Sequence, residues 1–271
     1  MIFLKKYLRD FALVNKMIFD THCHLNDEAL LANVDKIITE SLKVGVDKFL
    51  VVGWDKKSSL EAIKLAEKYP EVFAAIGFHP SNVFDVTETD YQEVMAYLTH
   101  PKVVAVGEIG LDYHWNKTAE ERNTQKQFFI RQIKTANEYK KPITIHNREA
   151  FEDCLNILKQ HKPVMGGVMH CYSGSAEALK VVLELGLLIG LGGTLTFTNA
   201  RKVKEVCMET PLEKIVVETD APYLAPHPQR GTINTPKNIA LVIDEIAKVK
   251  NLSKKHILDV IYKTSCDMFH V

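Results

Sequence analysis

Eight short runs rich in valine, isoleucine and phenylalanine recur along the chain, and longer segments with helical spacing of apolar residues separate them. The predicted strands are Met17–Thr21, Lys48–Val52, Val72–Gly77, Val103–Glu108, Pro142–His146, Gly167–His170, Gly186–Gly190 and Ile215–Glu218. They are apolar at nearly every position, as expected when both faces of a parallel sheet are buried. The alternation predicts an α/β fold of the (β/α)8, or TIM barrel, type. A doubly wound open sheet has the same local pattern and is the alternative.

The segments between and after the strands have the apolar spacing of helices. The predicted helices include Asp27–Lys43, Lys56–Tyr69, Ala119–Tyr139, Ala150–Gln160, Ser175–Leu185, Asn199–Glu209, Pro236–Lys248 and Ser253–Met268. No linker or low-complexity tract interrupts the pattern, so we expect one domain over residues 17–271. Because Met17 opens the first predicted strand, residues 1–16 are interpreted as an N-terminal extension.

The amino-acid composition excludes several classes of function for this chain. The 34 Lys and Arg residues balance 34 Asp and Glu residues, which argues against a protein held on nucleic acid by a broad basic surface. No apolar run approaches the roughly 20 residues that span a bilayer, so no membrane association is expected. Five cysteines without a CxxC pair indicate reduced thiols and a cytoplasmic location. Nothing in the sequence indicates an obligate protein partner.

Candidate metal ligands follow several of the predicted strands. His22 and His24, at the end of the first strand, are two residues apart, so both imidazoles lie on the same side of an extended chain. Imidazole pairs of this kind chelate divalent cations such as zinc. Glu108, His146 and His170 end the fourth, fifth and sixth strands.

A sixth candidate, Asp220, follows the eighth strand. The carboxyl ends of the strands are where a barrel gathers its active site, and packing alone would not repay the desolvation of so many polar groups. Four histidines and two carboxylates exceed the needs of one tetrahedral ion and suit two divalent ions. Strand order groups His22 and His24 with Asp220 at one ion and His146 with His170 at the other, with Glu108 as the bridge.

The motifs at these positions resemble the TatD family of metal-dependent deoxyribonucleases, within the amidohydrolase-type metal barrels. The matching stretches are Phe19–His24, Gly77–Pro80, Val106–Tyr113, Ile145–Ala150, His170–Gly174 and Glu218–Leu224. The resemblance implies a TIM barrel with two Mg, Mn or Zn ions bridged by a glutamate, which here is Glu108. It also implies hydrolysis of DNA phosphodiester bonds, typically from a 3′ end.

The expected mechanism assigns further roles. Asp220 is the candidate general base, and together with Glu108 it forms the predicted catalytic pair. We expect His79 and Arg148 to contact a substrate phosphate, and Arg230 to do so in a loop that departs from the usual family pattern. The sequence 230–236 lacks a basic and an acidic residue found there in the family. A recessed barrel mouth favours single-stranded or frayed DNA ends.

Two alternatives stay open at this point. The same ligands could serve a metal-dependent amidase or lactonase that acts on a small molecule. A metal-binding scaffold without turnover is a third possibility, although the complete set of six ligand candidates disfavours it. Neither a Gly-x-Ser-x-Gly motif nor a Walker-type phosphate loop is present, so the chain lacks those routes to hydrolysis.

Overall fold

Eight parallel strands follow one another around a barrel in sequence order, which confirms the predicted (β/α)8 fold. A computed structural model describes residues 18–271, so the predicted extension and Met17 lie outside the described residues. The strands are β1 Ile18–Cys23, β2 Val46–Val52, β3 Val72–Ile76, β4 Val103–Asp112, β5 Ile143–Arg148, β6 Gly167–Met169, β7 Leu187–Leu191 and β8 Ile215–Val217. Each hydrogen-bonds in parallel with the next.

Helices surround the barrel. In the described part of the chain they are α1 Glu28–Leu31, α2 Val34–Lys43, α3 Lys56–Lys68, α4 Glu88–Met95, α5 Ala119–Glu138, α6 Phe151–Gln160, α7 Ala176–Glu184, α8 Arg201–Glu209, α9 Ile239–Lys250 and α10 Lys254–Phe269. Over residues 18–271, the structure holds no helix long and apolar enough to cross a membrane.

Side chains and backbone of β1 and of the segment after β8 bring the two ends of the sheet together. The backbone N–H of Asp220 donates to the carbonyl of His22 at 2.9 Å. Asp20, which is fully buried, accepts hydrogen bonds from the N–H and hydroxyl of Thr219 at 3.0 and 2.5 Å. Burial raises the pKa of Asp20 to about 8 despite these hydrogen bonds. The barrel therefore closes beside the residues that carry the predicted site.

The core has two layers. Inside the barrel, side chains from most of the strands, among them Phe19, Leu50 and Val216, form one apolar cluster with Phe269 of α10. The rings of Phe19 and Phe269 pack edge to face with centroids 5.6 Å apart. A larger cluster joins the outer faces of the strands to the helices. Burial on both faces explains why the strands read as continuous apolar runs.

The observed elements depart most clearly from the predicted ones at three places. The helix expected over Asp27–Lys43 is two helices, because Asn33 has non-helical backbone angles and is a poor helix former. Helix α4 was not predicted; a capping box between Thr87 and Asp90 begins it. Strand β4 continues four residues beyond Glu108, because its last residues pair with β5, Asp112 lying opposite Arg148.

Candidate metal centre

All six predicted ligands converge at the carboxyl ends of the strands. His22 lies within β1 and His24 directly follows it; Glu108 and His146 lie in β4 and β5. His170 follows β6, and Asp220 follows β8 at three residues' distance. Nε2 of His22 lies 3.3 Å from Nε2 of His24, and the rings of His22 and His170 stack with centroids 3.7 Å apart.

Glu108 lies between the two predicted pairs of histidines and directs one oxygen to each. Its Oε2 lies 3.6 Å from Nε2 of His22 and 3.9 Å from Nε2 of His24. Its Oε1 lies 2.8 Å from Nδ1 of His146 and 3.7 Å from Nε2 of His170. A carboxylate placed in this way has the position that a bridge between two cations requires.

Asp220 completes the side of the centre next to β1. Its Oδ1 lies 3.4, 3.8 and 3.9 Å from Nε2 of His24, His22 and His170. The residue adopts a left-handed backbone conformation, with φ of 54°, which aspartate tolerates better than most residues. The turn thereby returns the Asp220 carboxylate over the end of β1.

The donor set fits divalent cations. Nδ1 of His24 lies 3.1 Å from the carbonyl of Val52, so Nδ1 carries the proton and the Nε2 lone pair points into the centre. That lone pair faces another imidazole nitrogen, on His22, and two carboxylates. Ligand atoms of His22, His24 and Asp220, and separately those of His22, Glu108 and His170, lie within 4.8 Å of one another. Imidazole and carboxylate donors in such numbers match zinc, manganese and related ions.

Each of the four histidines also has a partner for the ring nitrogen that faces away from the centre. Nδ1 of His22 lies 3.3 Å from the hydroxyl of Thr144, and Val52 serves His24. Nε2 of His146 lies 3.1 Å from Oδ2 of Asp112, and Nδ1 of His170 lies 3.0 Å from Oε1 of Glu218. Outer partners of this kind fix the ring orientation of metal-binding histidines.

Asp112 and Glu218 were not predicted from the sequence, although both lie in the stretches that resemble the family. The available signal was an acidic residue at a strand end, close to a candidate ligand. Glu218 is fully buried and needs space that only glycine gives: a Cβ on Gly190 would lie 2.3 Å from Oε2 of Glu218. Gly190 in β7 therefore admits the carboxylate that supports His170.

His79 reaches the same centre from the loop after β3. Its Nε2 lies 4.0 Å from Oε1 of Glu108, and its Nδ1 accepts a hydrogen bond from the N–H of Ser81 at 3.1 Å. An accepting Nδ1 places the proton of the neutral ring on Nε2. Burial and the neighbouring His146 lower the pKa of His79 to about 3, so the ring stays neutral. Nε2 of His79 is thus a hydrogen-bond donor and not a metal ligand, although ligand atoms of His79, Asp112 and His146 lie within 4.8 Å of one another.

The two predicted arginines differ in their surroundings. Arg148, the last residue of β5, is exposed and forms no salt bridge with any residue from 18 to 271. Its guanidinium lies 5.6 Å from the centre of the Trp115 ring. The guanidinium of Arg230 packs 3.9 Å from the Phe197 ring centroid and donates to the carbonyl of Ala225 at 3.2 Å. These contacts hold the Arg230 side chain against Phe197 and Ala225.

The ionisation states of the carboxylates and histidines in the centre depend on their contacts with one another. Burial opposes ionisation of Glu108, but His146 and His22 hold its pKa well below the ordinary value. Burial likewise opposes ionisation of Asp220, and His170 and His24 outweigh it and lower the pKa. Burial disfavours the charged form of His170, but Glu218 and Asp220 raise its pKa to about 10. Two ionised carboxylates therefore face histidines whose protons a cation could replace.

A (β/α)8 barrel with histidines and carboxylates gathered at its carboxyl end defines a metal-dependent hydrolase. The profile described as TatD related DNase matches residues 19–270. The chain is 39% identical over 256 residues to the Bacillus subtilis metal-dependent hydrolase YabD, covering 94% of this chain and all of the relative. It is 33% identical over 258 residues to YcfH of Escherichia coli K12, covering 94% of this chain and 96% of the relative.

A solved structure agrees with this assignment. The crystal structure of the TatD homologue YjjV from Escherichia coli K12 superposes with a TM-score of 0.89 and 28% sequence identity, covering 96% of this chain and all of that one. The chain belongs to the TatD family of metal-dependent hydrolases. The family resemblance inferred from the motifs is confirmed.

Proposed function

We propose that the protein hydrolyses DNA phosphodiester bonds, starting from the 3′ end of a single or frayed strand, with two divalent ions. The observation that carries the proposal is the position of Glu108, whose two oxygens face two different pairs of histidines. His22, His24 and Asp220 would hold one ion, His146 and His170 the other, and Glu108 both. Divalent cations at these positions would acidify water and stabilise negative charge on a phosphoryl group.

Asp220 is the proposed general base. Its three contacts with the histidines are all made by Oδ1, which leaves Oδ2 to accept a proton from water. The lowered pKa of Asp220 keeps the carboxylate ionised at neutral pH, so it is available as an acceptor. A substitution Asp220→Asn keeps the shape but removes the proton acceptor.

His79 and Arg148 are proposed to hold the substrate phosphate. His79 presents a neutral N–H near Glu108, where it can donate to a phosphate oxygen without adding a charge that would repel cations. Arg148 presents a charged guanidinium two residues beyond His146, with no salt bridge to any of the residues that the structure describes. Arginine binds phosphate through paired N–H donors, so this position suits a backbone phosphate next to the scissile one. Arg230 is proposed for the same role, although its guanidinium already packs on Phe197.

The preference for strand ends is supported by the depth of the centre. His22 is fully buried and Glu108 is 4% exposed, so the reacting phosphate must enter the barrel mouth. A free strand end reaches such a recessed phosphate position more readily than the interior of a duplex does. The family description as a DNase supports DNA as the substrate class.

The test is a digestion of oligonucleotides labelled at either end, with Mg²⁺, Mn²⁺ or Zn²⁺ added to metal-stripped protein. We expect successive loss of nucleotides from the 3′ end of single strands and slow attack on blunt duplexes. Asp220→Asn is expected to remove turnover, whereas substitution of His256, an exposed histidine of α10, serves as the control. Hydrolysis of lactones or dihydroorotate without hydrolysis of DNA would favour the amidase or lactonase alternative.

A further inference from the structure

Trp115 is the most exposed large apolar side chain in the described residues, with 68% of its surface accessible. It lies in the loop that follows β4, at the carboxyl end of the barrel where the metal centre lies. Burying an indole stabilises a fold, so an indole left in solvent beside a catalytic mouth is available for a ligand.

The loop that carries Trp115 is held by Asp112, the residue that also contacts His146 of the metal centre. Oδ1 of Asp112 accepts hydrogen bonds from the backbone N–H groups of His114 at 2.9 Å and Trp115 at 3.3 Å. Oδ2 of the same carboxylate faces His146. The His114 ring packs edge-on against the indole, with centroids 4.6 Å apart, and its Nδ1 lies 2.7 Å from Oε1 of Glu149. Trp115 is therefore positioned relative to His146 by a shared residue.

Arg148, the last residue of β5, lies next to Trp115. Its guanidinium carbon is 5.6 Å from the indole centroid, and the arginine is two residues from His146. An exposed indole next to an exposed cation matches the two parts of a nucleotide, since the ring stacks on a base and the cation binds a phosphate. A small neutral lactone offers no counterpart for both parts of this pair.

We propose that Trp115 and Arg148 form a stacking platform that binds one base and its phosphate in a single DNA strand next to the metal centre. The proposal rests on the proposed function and adds the position and chemistry of a base subsite. Stacking is tolerant of base identity, because every base has an aromatic face. The platform therefore predicts selection for base-bearing single strands without strong sequence preference.

Fluorescence provides a test that is independent of turnover, because Trp115 is exposed, and the second tryptophan, Trp54, whose ring lies 5.1 Å from that of His24, gives a background signal that the Trp115→Phe variant measures by itself. A phosphorothioate hexathymidylate, which resists hydrolysis, is titrated into Mn²⁺-loaded protein. We expect quenching by this strand and none by a strand of equal length built from abasic residues. The quenching is expected to be lost in Trp115→Phe, while affinity stays within about threefold because phenylalanine still stacks.

Affinity measured by fluorescence anisotropy separates the contribution of the bases from that of the phosphate backbone. Trp115→Ala is expected to weaken binding of the base-bearing strand about tenfold and to leave the abasic strand as before. Tyr97, exposed to 41% in the segment between α4 and the start of β4, provides a matched aromatic control, and Tyr97→Ala is expected to bind both strands normally. Melting temperatures of all variants check that each one folds.

The outcomes separate this inference from the proposed function. Wild-type protein that degrades DNA, with Trp115→Ala binding base-bearing strands as tightly, overturns the platform and leaves the nuclease standing. Wild-type protein that shows base-dependent quenching but no DNA hydrolysis supports the platform and removes the nuclease proposal. Absence of strand binding by wild type, or tighter binding of the matching oligoribonucleotide, overturns the assignment to DNA.

Discussion

Nδ1 of His146 lies 2.8 Å from Oε1 of Glu108, so the histidine faces the centre with Nδ1 and not with Nε2. The opposite nitrogen lies 3.1 Å from Asp112. His146 is thus held between a carboxylate inside the centre and one outside it. This arrangement separates the residues expected to touch a cation from those that orient them, and it determines which substitutions are informative.

Substitution of Glu108 is expected to affect both proposed ion sites. In Glu108→Ala, metal content should fall at both positions because the two oxygens serve different histidine pairs. In His146→Ala, about one ion per chain should remain. Elemental analysis of purified, metal-reconstituted protein measures both, with His256→Ala as a control for a histidine outside the centre. Wild-type metal content in Glu108→Ala would refute the bridging role.

Substitution of Asp112 tests the outer support of His146. Asp112→Asn keeps the shape but weakens the partner of Nε2, and removal of such partners costs about 10–100-fold in metal affinity or activity. We expect the loss to appear at the ion held by His146, with occupancy beside His24 retained. Competition with a chelator, followed ion by ion, measures this. An equal loss at both ions would mean that Asp112 acts on the fold and not through His146.

The fold and the metal-ligand candidates could be predicted because their signals are local. Strand alternation indicates the barrel, and a barrel brings strand ends together whatever the intervening helices are. His22 and Asp220 are therefore placed together by topology alone. The outer partners were not predicted because their role depends on which ring nitrogen faces inward, and sequence spacing does not encode that choice. Trp115 was missed for a related reason: exposure of an apolar side chain appears only in three dimensions.

Metal binding is expected to depend on pH through His170. Without an ion, its pKa of about 10 keeps the imidazole protonated at neutral pH, and an ion can bind Nε2 only when that proton leaves. Affinity should therefore rise with pH, by about tenfold per unit for each proton displaced, up to about pH 10, and fall on acidification.

Calorimetry in buffers of different ionisation enthalpy counts the protons released on metal binding at pH 7.5. Glu218→Gln provides the matched variant, because Glu218 is the strongest influence that favours the charged form of His170. We expect fewer protons to be released by this variant. Metal binding without proton release in the wild-type protein would contradict the linkage.

The close packing of the Glu218 carboxylate against Gly190 leads to a prediction about stability. In Gly190→Ala the new methyl group would lie 2.3 Å from Oε2 of Glu218, in a strand that is buried along its whole length. Overpacking of this kind typically costs about 1–3 kcal/mol of unfolding free energy. Gly192→Ala is a graded control, because its methyl would approach the backbone oxygen of Glu218 only to 3.2 Å. Urea unfolding compares the two, and equal stabilities would show that β7 yields.

The last prediction concerns how DNA is held. Because the chain has no net charge, we expect affinity to come from the metal centre and few phosphate contacts, so binding should weaken gently with salt. A log–log slope of about −1 to −3 is expected, since each phosphate contact on a single strand contributes about −0.7. Arg148→Ala should reduce the slope by about that amount and lower DNA turnover while metal content stays unchanged. Arg230→Ala should change the slope less, because its guanidinium already packs on Phe197. Anisotropy titrations from low to high salt provide the slopes. If Arg148→Ala binds and cuts DNA as wild type does, phosphate is held elsewhere and the amidase or lactonase alternative gains weight.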